Sequence, residues 1–175
     1  YEIIHAHYSL CGLFSFFEKH RKNRLVVSFM GDDIIGEHNN KGNYTLKGKL
    51  FVTINILFSK FYDHNIVKST EMKFKLKNSK NVSLIANGVD LDKFFPLEKR
   101  YCRNILGWNE KEKIAVFMSN PNRSEKNYQL AAQAVSKTAG LKLFSIYNIP
   151  NNELIYYYNA ADVCLLTSFH EGSPN

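Results

Sequence analysis

The strongest constraint on this chain is the alternation of short, unbroken apolar runs with longer amphipathic segments. Runs at 1–5, 25–29, 65–68, 82–85, 114–118, 141–146 and 162–167 are dominated by β-branched, aliphatic and aromatic residues. A strand apolar at nearly every position is one buried on both faces, as in a parallel sheet covered by helices. Between the runs lie candidate helices at 9–20, 45–62, 71–77, 98–106, 127–139 and 152–160. Ser69 or Thr70 would cap the third of these, since either hydroxyl can accept a bond from an unpaired first-turn amide. Parallel strands need crossover connections, so this order predicts an α/β fold with parallel sheets.

The pattern breaks between Asn87 and Asn109. Asn87-Gly88-Val89-Asp90 is a turn signal, Pro96 follows, and a new strand starts at Ile114. The sequence therefore predicts two domains, at 1–97 and 98–175. The chain opens on Tyr-Glu-Ile-Ile, with no initiator Met and no targeting segment. It closes on Gly-Ser-Pro-Asn, where a helix would be expected to begin. Both domains are accordingly expected to be incomplete, the chain being an internal piece of a longer protein.

Hydrophobic residues make up 45% of the 175 residues and charged residues 22%. That balance excludes intrinsic disorder, collagen-like repeats and coiled coil. No apolar stretch approaches the ~20 residues of a membrane-spanning helix. Cys11, Cys102 and Cys164 are odd in number and widely separated, which argues against a disulfide framework and for a reducing, cytoplasmic setting. The net charge of +7 is uneven: 14 Lys and Arg against 9 Asp and Glu in 1–97, and 9 against 7 in 98–175. A basic surface suits acidic partners such as phosphates or anionic lipid, and its plain alternative is a solvated basic face.

Four motifs follow strands, at the carboxyl edge where open α/β sheets bind ligands. His5-Ala6-His7 ends the first strand, and the period of 2 sets both imidazoles on one face. They read either as satisfied structural histidines or as hydrogen-bonding groups at a cleft; a metal reading would add Cys11 but lacks further ligands. Gly31-Asp32-Asp33 follows the second strand, with the carboxylates free to bind hydroxyls or to cap the next segment. Asn120-Pro121-Asn122-Arg123-Ser124-Glu125-Lys126-Asn127 is a basic loop before a helix, a candidate anion site or a solvated Glu–Lys turn. Glu171-Gly172-Ser173-Pro174 follows the last strand, with Pro suited to a first helical turn.

Together these motifs and their order resemble the family 4 retaining glycosyltransferases, built from two Rossmann-like domains in the GT-B architecture. The resemblance runs over nearly the whole chain. It rests on 3–12, on 26–33, on Asn87-Gly88-Val89-Asp90 with Phe94-Phe95-Pro96, on Arg123 to Asn127, on 157–163, and on Glu171-Gly172-Ser173-Pro174. It implies a nucleotide-sugar donor, UDP- or GDP-linked, on the second domain and a glycan or lipid-linked acceptor on the first. It implies retention at the anomeric carbon, with no metal or other cofactor. By the same resemblance His7 and Glu171 are the catalytic candidates, and Arg123, Lys126, Gly172 and Ser173 bind the donor. Gly31, Asp32, Asn87 and Gly88 line the acceptor side.

The chain departs from the family in three places. Met30 stands where the family has His, Asn120-Pro121 stands where it has Gly-Arg, and the second Glu of the family's Glu-x7-Glu motif would fall at position 179. The reading expected of the whole protein is sugar transfer in bacterial surface polysaccharide synthesis, peripheral on the inner face of the cell membrane. The basic Lys19, Arg21, Lys22 and Arg24 make an anionic membrane surface a candidate partner. The 175-residue piece by itself is expected to be inactive. The alternative is a non-catalytic module that binds nucleotide-sugar or anionic lipid. Nucleic acid is not expected as a partner, because the lysines are dispersed and no aromatic platform stands out.

Overall fold

The computed structural model describes residues 1–19, 22–36, 45–169 and 171–173. The expected helix end at His20, the basic Arg21 and the helix-starting Pro174 lie outside the described residues. Two compact units form. One is Tyr1–Gly88 with residues 171–173, and the other is Val89–Phe169.

The division thus falls at Gly88/Val89, nine residues before the expected boundary at 97/98, and the 171–173 segment groups with the first unit. Hydrogen bonds explain both differences. Asn159 donates to the Phe95 carbonyl at 3.1 Å and accepts from the Leu97 amide at 2.9 Å, while the Phe94 ring meets Tyr158 edge-on at 6.1 Å. These contacts fasten 94–97 to the second unit. Ser173 is bonded to Asn87, which fastens 171–173 to the first.

In the first unit β1 (Ile3–His7), β2 (Arg24–Ser28), β3 (His64–Val67) and β4 (Val82–Leu84) make one parallel sheet in that order. Helices α1 (Ser9–Glu18), α2 (Asp32–Ile35), α3 (Leu46–Ser59) and α4 (Thr70–Lys75) connect the strands. Leu25, Val27 and Phe29 of the β2 stretch are fully buried and pack with Ile34, Ile35, Val67, Met72 and Leu76. Each such side chain withdrawn from water is worth about 1.5–3 kcal/mol. Thr45 caps α3 by accepting from the Gly48 amide, and Ser69 caps α4 by accepting from Met72. The cap of α4 is therefore Ser69, one of the two expected. Gly12 brings α1 hard against β2: a Cβ there would lie 2.7 Å from a Val27 methyl.

In the second unit β5 (Lys113–Phe117) runs parallel between β6 (Leu141–Ser145) and β7 (Val163–Leu165). Around them lie α5 (Lys99–Leu106), α6 (Tyr128–Ser136) and α7 (Leu154–Ala160). Ile114, Ala115, Val116 and Phe117 of β5 are buried. Trp108 stacks on Phe144 at 4.9 Å and meets Tyr157 edge-on.

All seven expected strands and six expected helices are present. Two ends moved for identifiable reasons. The first strand runs 3–7 rather than 1–5, because its register pairs Ile3 with Arg24 and carries pairing on to His7 with Ser28. The last strand stops at Leu165, because Thr167 and Phe169 bond instead to the loop at 125–127. The short α2 has no counterpart in the sequence reading, since four residues are too few to show a helical period. No described helix is long and apolar enough to cross a membrane.

Candidate functional site at the sheet carboxyl edges

In the first unit the carboxyl edge gathers residues from β1, β2 and β4. His5 and His7 stand on one face with ring centroids 4.3 Å apart, as the period of 2 requires. His5 is the anchored member, its Nε2 lying 2.8 Å from the buried Ser28 hydroxyl. Burial, then the neighbouring His7 and Lys68 charges, push its pKa below the ordinary value. His7 occupies the last position of the strand.

The Met30–Gly31 turn after β2 is built around Asp33. Its carboxylate accepts from the Met30 amide at 3.0 Å, the Gly31 amide at 2.9 Å and the Ser9 amide at 3.0 Å. Asp33 is fully buried, and burial pushes its carboxyl up against the pull of these amides. Asn55 completes the turn by donating to the Asp33 carbonyl at 2.7 Å. Of the two adjacent carboxylates, then, Asp33 is the capping and turn-forming one. Asp32 opens α2 and is exposed.

Gly172 lies directly on this turn. A Cβ on Gly172 would sit 2.3 Å from the Met30 carbonyl oxygen and 2.9 Å from the Gly31 Cα, so only glycine fits. Gly31 itself has φ 145°, a conformation open to glycine alone. One residue on, Ser173 takes the Asn87 amide on its hydroxyl at 3.2 Å, and the Asn87 side chain donates to the Ser173 carbonyl at 3.2 Å. Gly31, Asn87, Gly172 and Ser173 are thus brought together, with Glu171 half-buried next to them in the chain. Gly88 is exposed, and a Cβ there would meet nothing within 4 Å.

In the second unit Arg123 and Lys126 lie in the loop after β5, where Ser124–Lys126 form a single 3₁₀ turn. Arg123 is ion-paired with Glu125 at 2.6 Å. Burial raises the Glu125 carboxyl, but its own amide, the Arg123 hydrogen bond and the charges of Arg123 and Lys126 together bring it below the usual value. The loop carries two cations against one anion. Thr167 donates to the Lys126 and Asn127 carbonyls, and the Phe169 amide donates to the Glu125 carbonyl at 3.0 Å. The stretch after β7 thereby fixes the loop after β5, and both lie at the carboxyl edge of the same sheet.

The sequence reading missed the buried Arg103, 2% exposed. It donates to the Ala160, Asn109, Glu110 and Glu112 carbonyls and pairs with Asp162 at 2.8 Å. This is a structural hub, and Cys102 is the other buried residue of α5. Among the described residues, no three His, Cys, Asp or Glu side chains stand together as a metal site.

Comparison with solved structures decides the architecture. A sucrose-phosphate synthase from Thermosynechococcus elongatus superposes with TM-score 0.72 at 17% identity, over 99% of this chain and 52% of that one. TarM superposes at 0.57 with 13% identity, over 97% of this chain and 37% of that one. A mutant of S. aureus TarM in complex with fondaparinux, alpha-GlcNAc-glycerol and UDP gives 0.51 at 14% identity, over 94% and 33%. Both units are Rossmann-like halves of the GT-B type. At these identities the likeness carries the fold alone. The chain spans about half, or less, of the glycosyltransferases it matches. No family model and no curated protein matches the sequence.

Proposed function

We propose that the protein to which this chain belongs transfers a sugar from a nucleotide-sugar donor to a glycan or lipid-linked acceptor, with retention at the anomeric carbon. The observation that carries this reading is the seating of Gly172 on the Met30–Gly31 turn, with Ser173 bonded to Asn87. It holds an acid–glycine–serine segment at the carboxyl edge of the sheet that ends in His7. The GT-B likeness supports the reaction class, and the UDP complex of a TarM mutant supports a nucleoside diphosphate as the leaving group.

In this reading Arg123 and Lys126 hold the diphosphate, whose negative charge grows as it departs. Fixed cations stabilise that growing charge more than the ground state. The Gly172 and Ser173 amides add oriented dipoles. Glu171 favours the positive charge that develops on the sugar, and His7 orients the acceptor hydroxyl or the transferred sugar. Gly31, Asp32, Asn87 and Gly88 shape the acceptor side. Orientation and fixed charge carry the catalysis, with no metal assigned a step. The setting is surface polysaccharide synthesis at the cytoplasmic face of a bacterial membrane.

The decisive experiment extends the gene past both ends of this sequence and screens the full-length product with UDP- and GDP-sugars. Transfer lost by at least a hundredfold in Glu171→Ala, with donor binding retained, is the expected result; an effect of that size belongs to removing an electrostatic transition-state group. Failure of every donor would overturn the reading. One observation favours a second reading, a non-catalytic nucleotide-sugar module: Arg123 shares its charge with Glu125. Donor binding without transfer would select it.

A further inference from the structure

One backbone position in the first unit is strained, and it stands directly after His7. Among the described residues other than glycine, four have positive φ. Three are asparagines, Asn81, Asn127 and Asn148, with φ between 52° and 56°, a conformation that side chain tolerates. The fourth is Tyr8 at φ 79° and ψ 140°, a region that belongs to glycine and is costly for a bulky residue. Such a conformation persists only where its surroundings impose it.

Hydrogen bonds impose it from both sides of the Tyr8 Cα. The peptide before it is held by β2, because the Tyr8 amide donates to the Ser28 carbonyl at 2.8 Å. The peptide after it is held twice. Its carbonyl accepts from the Gly12 amide at 3.2 Å, and its N–H, that of Ser9, donates to Oδ2 of Asp33 at 3.0 Å. Peptides are planar, so fixing both planes sets φ and ψ between them. Oδ1 of the same carboxylate accepts from the Met30 and Gly31 amides, and Asn55 of α3 donates to the Asp33 carbonyl. A single, fully buried carboxylate thus joins the loop after β1 to the turn after β2. The first follows His7, and the second seats Gly172.

We propose that Asp33 is the positioning residue of this site. Through the Ser9 amide it keeps Tyr8 in the strained conformation, and it thereby sets His7 in fixed register with the Met30–Gly31 seat of Gly172. The roles of His7 and Gly172 rest on the transfer reading; the clamp does not. Only a carboxylate serves, because both of its oxygens accept, whereas an amide side chain turns an N–H toward one of its partners. Asp33→Asn keeps the side with two donors, faces the Ser9 amide with another donor, and lets Tyr8 relax. Glycine at position 8 has no strain to release and keeps the native path without the clamp.

The test uses the full-length protein with Asp33→Asn, alone and combined with Tyr8→Gly or Tyr8→Ala. Hydrogen exchange at the Ser9 amide should rise at least about tenfold in Asp33→Asn, with the Val27 amide of β2 unchanged. The kcat for sugar transfer should fall about ten- to a hundredfold with the donor KM within about twofold, as for a displaced orienting group. Tyr8→Gly should restore at least about fivefold of that loss and Tyr8→Ala none, a difference that a general loss of stability would not produce. Unchanged Ser9 exchange, unchanged kcat in an active protein, or rescue that does not distinguish glycine from alanine would overturn the proposal. If Asp33→Asn does not fold, position 8 decides alone. With the aspartate intact, Tyr8→Gly should melt at least about 2 °C above Tyr8→Ala, the reverse of the ordinary order, and an equal or lower Tm would overturn the proposal. Absence of sugar transfer by the unsubstituted protein would count against the transfer reading, while exchange and melting still judge the clamp.

Discussion

A methyl on Gly172 would lie 2.3 Å from the Met30 carbonyl oxygen, which is backbone and cannot rotate away. Gly172→Ala must therefore lift the segment from the turn, and the Asn87 amide loses its Ser173 acceptor. The expected outcome is local: hydrogen exchange at the Asn87 amide rises at least tenfold, while amides of β2 keep their protection, because sub-global opening is independent of the buried core. Unchanged exchange at Asn87 would show that the segment is not held by this contact. His5 and Asp33 illustrate the same scale from the other side. For each the sequence left a structural and a ligand-binding reading open, and both are occupied by protein partners, Ser28 in one case and three backbone amides in the other.

Between elements, α1 approaches β2 closely at Gly12. Alanine there would gain about 1 kcal/mol in helix propensity. It would also press a Cβ to 2.7 Å and 2.8 Å from the methyls of Val27, a buried and rotationally stiff side chain. Overpacking of this kind costs about 1–3 kcal/mol, so Gly12→Ala should be destabilising by about 1 kcal/mol in urea unfolding. The diagnostic is the cycle with Val27→Ala: the double variant should lose less than the sum of the two single variants, because the methyls that clash are gone. Additive losses would place the strain elsewhere. In the second unit the corresponding joint is polar. Arg103 on α5 reaches the end of α7 and the start of β7, tying three elements through one guanidinium.

For the whole molecule, each unit rests on a carboxylate held at about 2 from an ordinary 3.8. In the second unit Asp162 is lowered by the Lys99 hydrogen bond, the Ile114 amide and the Arg103 charge. In the first, burial raises Asp63, but the Leu25 amide with Lys19 and Arg24 outweighs it. A depressed folded pKa means the unfolded chain takes up protons first. The stabilisation is present above about pH 4 and is lost as pH falls through about 2. Solvent screening of these partly open groups limits it to about 1 kcal/mol each. Urea midpoints should therefore fall between pH 4 and 2, and Asp162→Asn should flatten that fall for the second unit while Asp63→Asn flattens it for the first. A fall of the same steepness in both variants would refute the assignment.

How much of this was legible beforehand depends on the range of the interactions. Strands and helices were readable because burial on both faces writes an unbroken apolar run, and capping needs only neighbours, as Ser69 shows. The strand at Ile3–His7 was misplaced by two residues because register is set by a partner strand more than fifteen positions away. The boundary before residue 97 was misplaced because Asn159, 62 residues on from Leu97, captures that stretch. Site residues divide in the same way. That His5 and His7 share a face follows from strand geometry, whereas nothing local to Gly172 reveals the Met30 carbonyl beneath it, 142 positions earlier in numbering. The sequence by itself determined the α/β class, the parallel sheets and the loops that follow the strands' carboxyl ends, since these follow from periodicity and local hydrogen bonding. Only the tertiary structure decided which carboxylate is structural and which arginine is buried, because each depends on contacts whose partners the chain brings together only by folding.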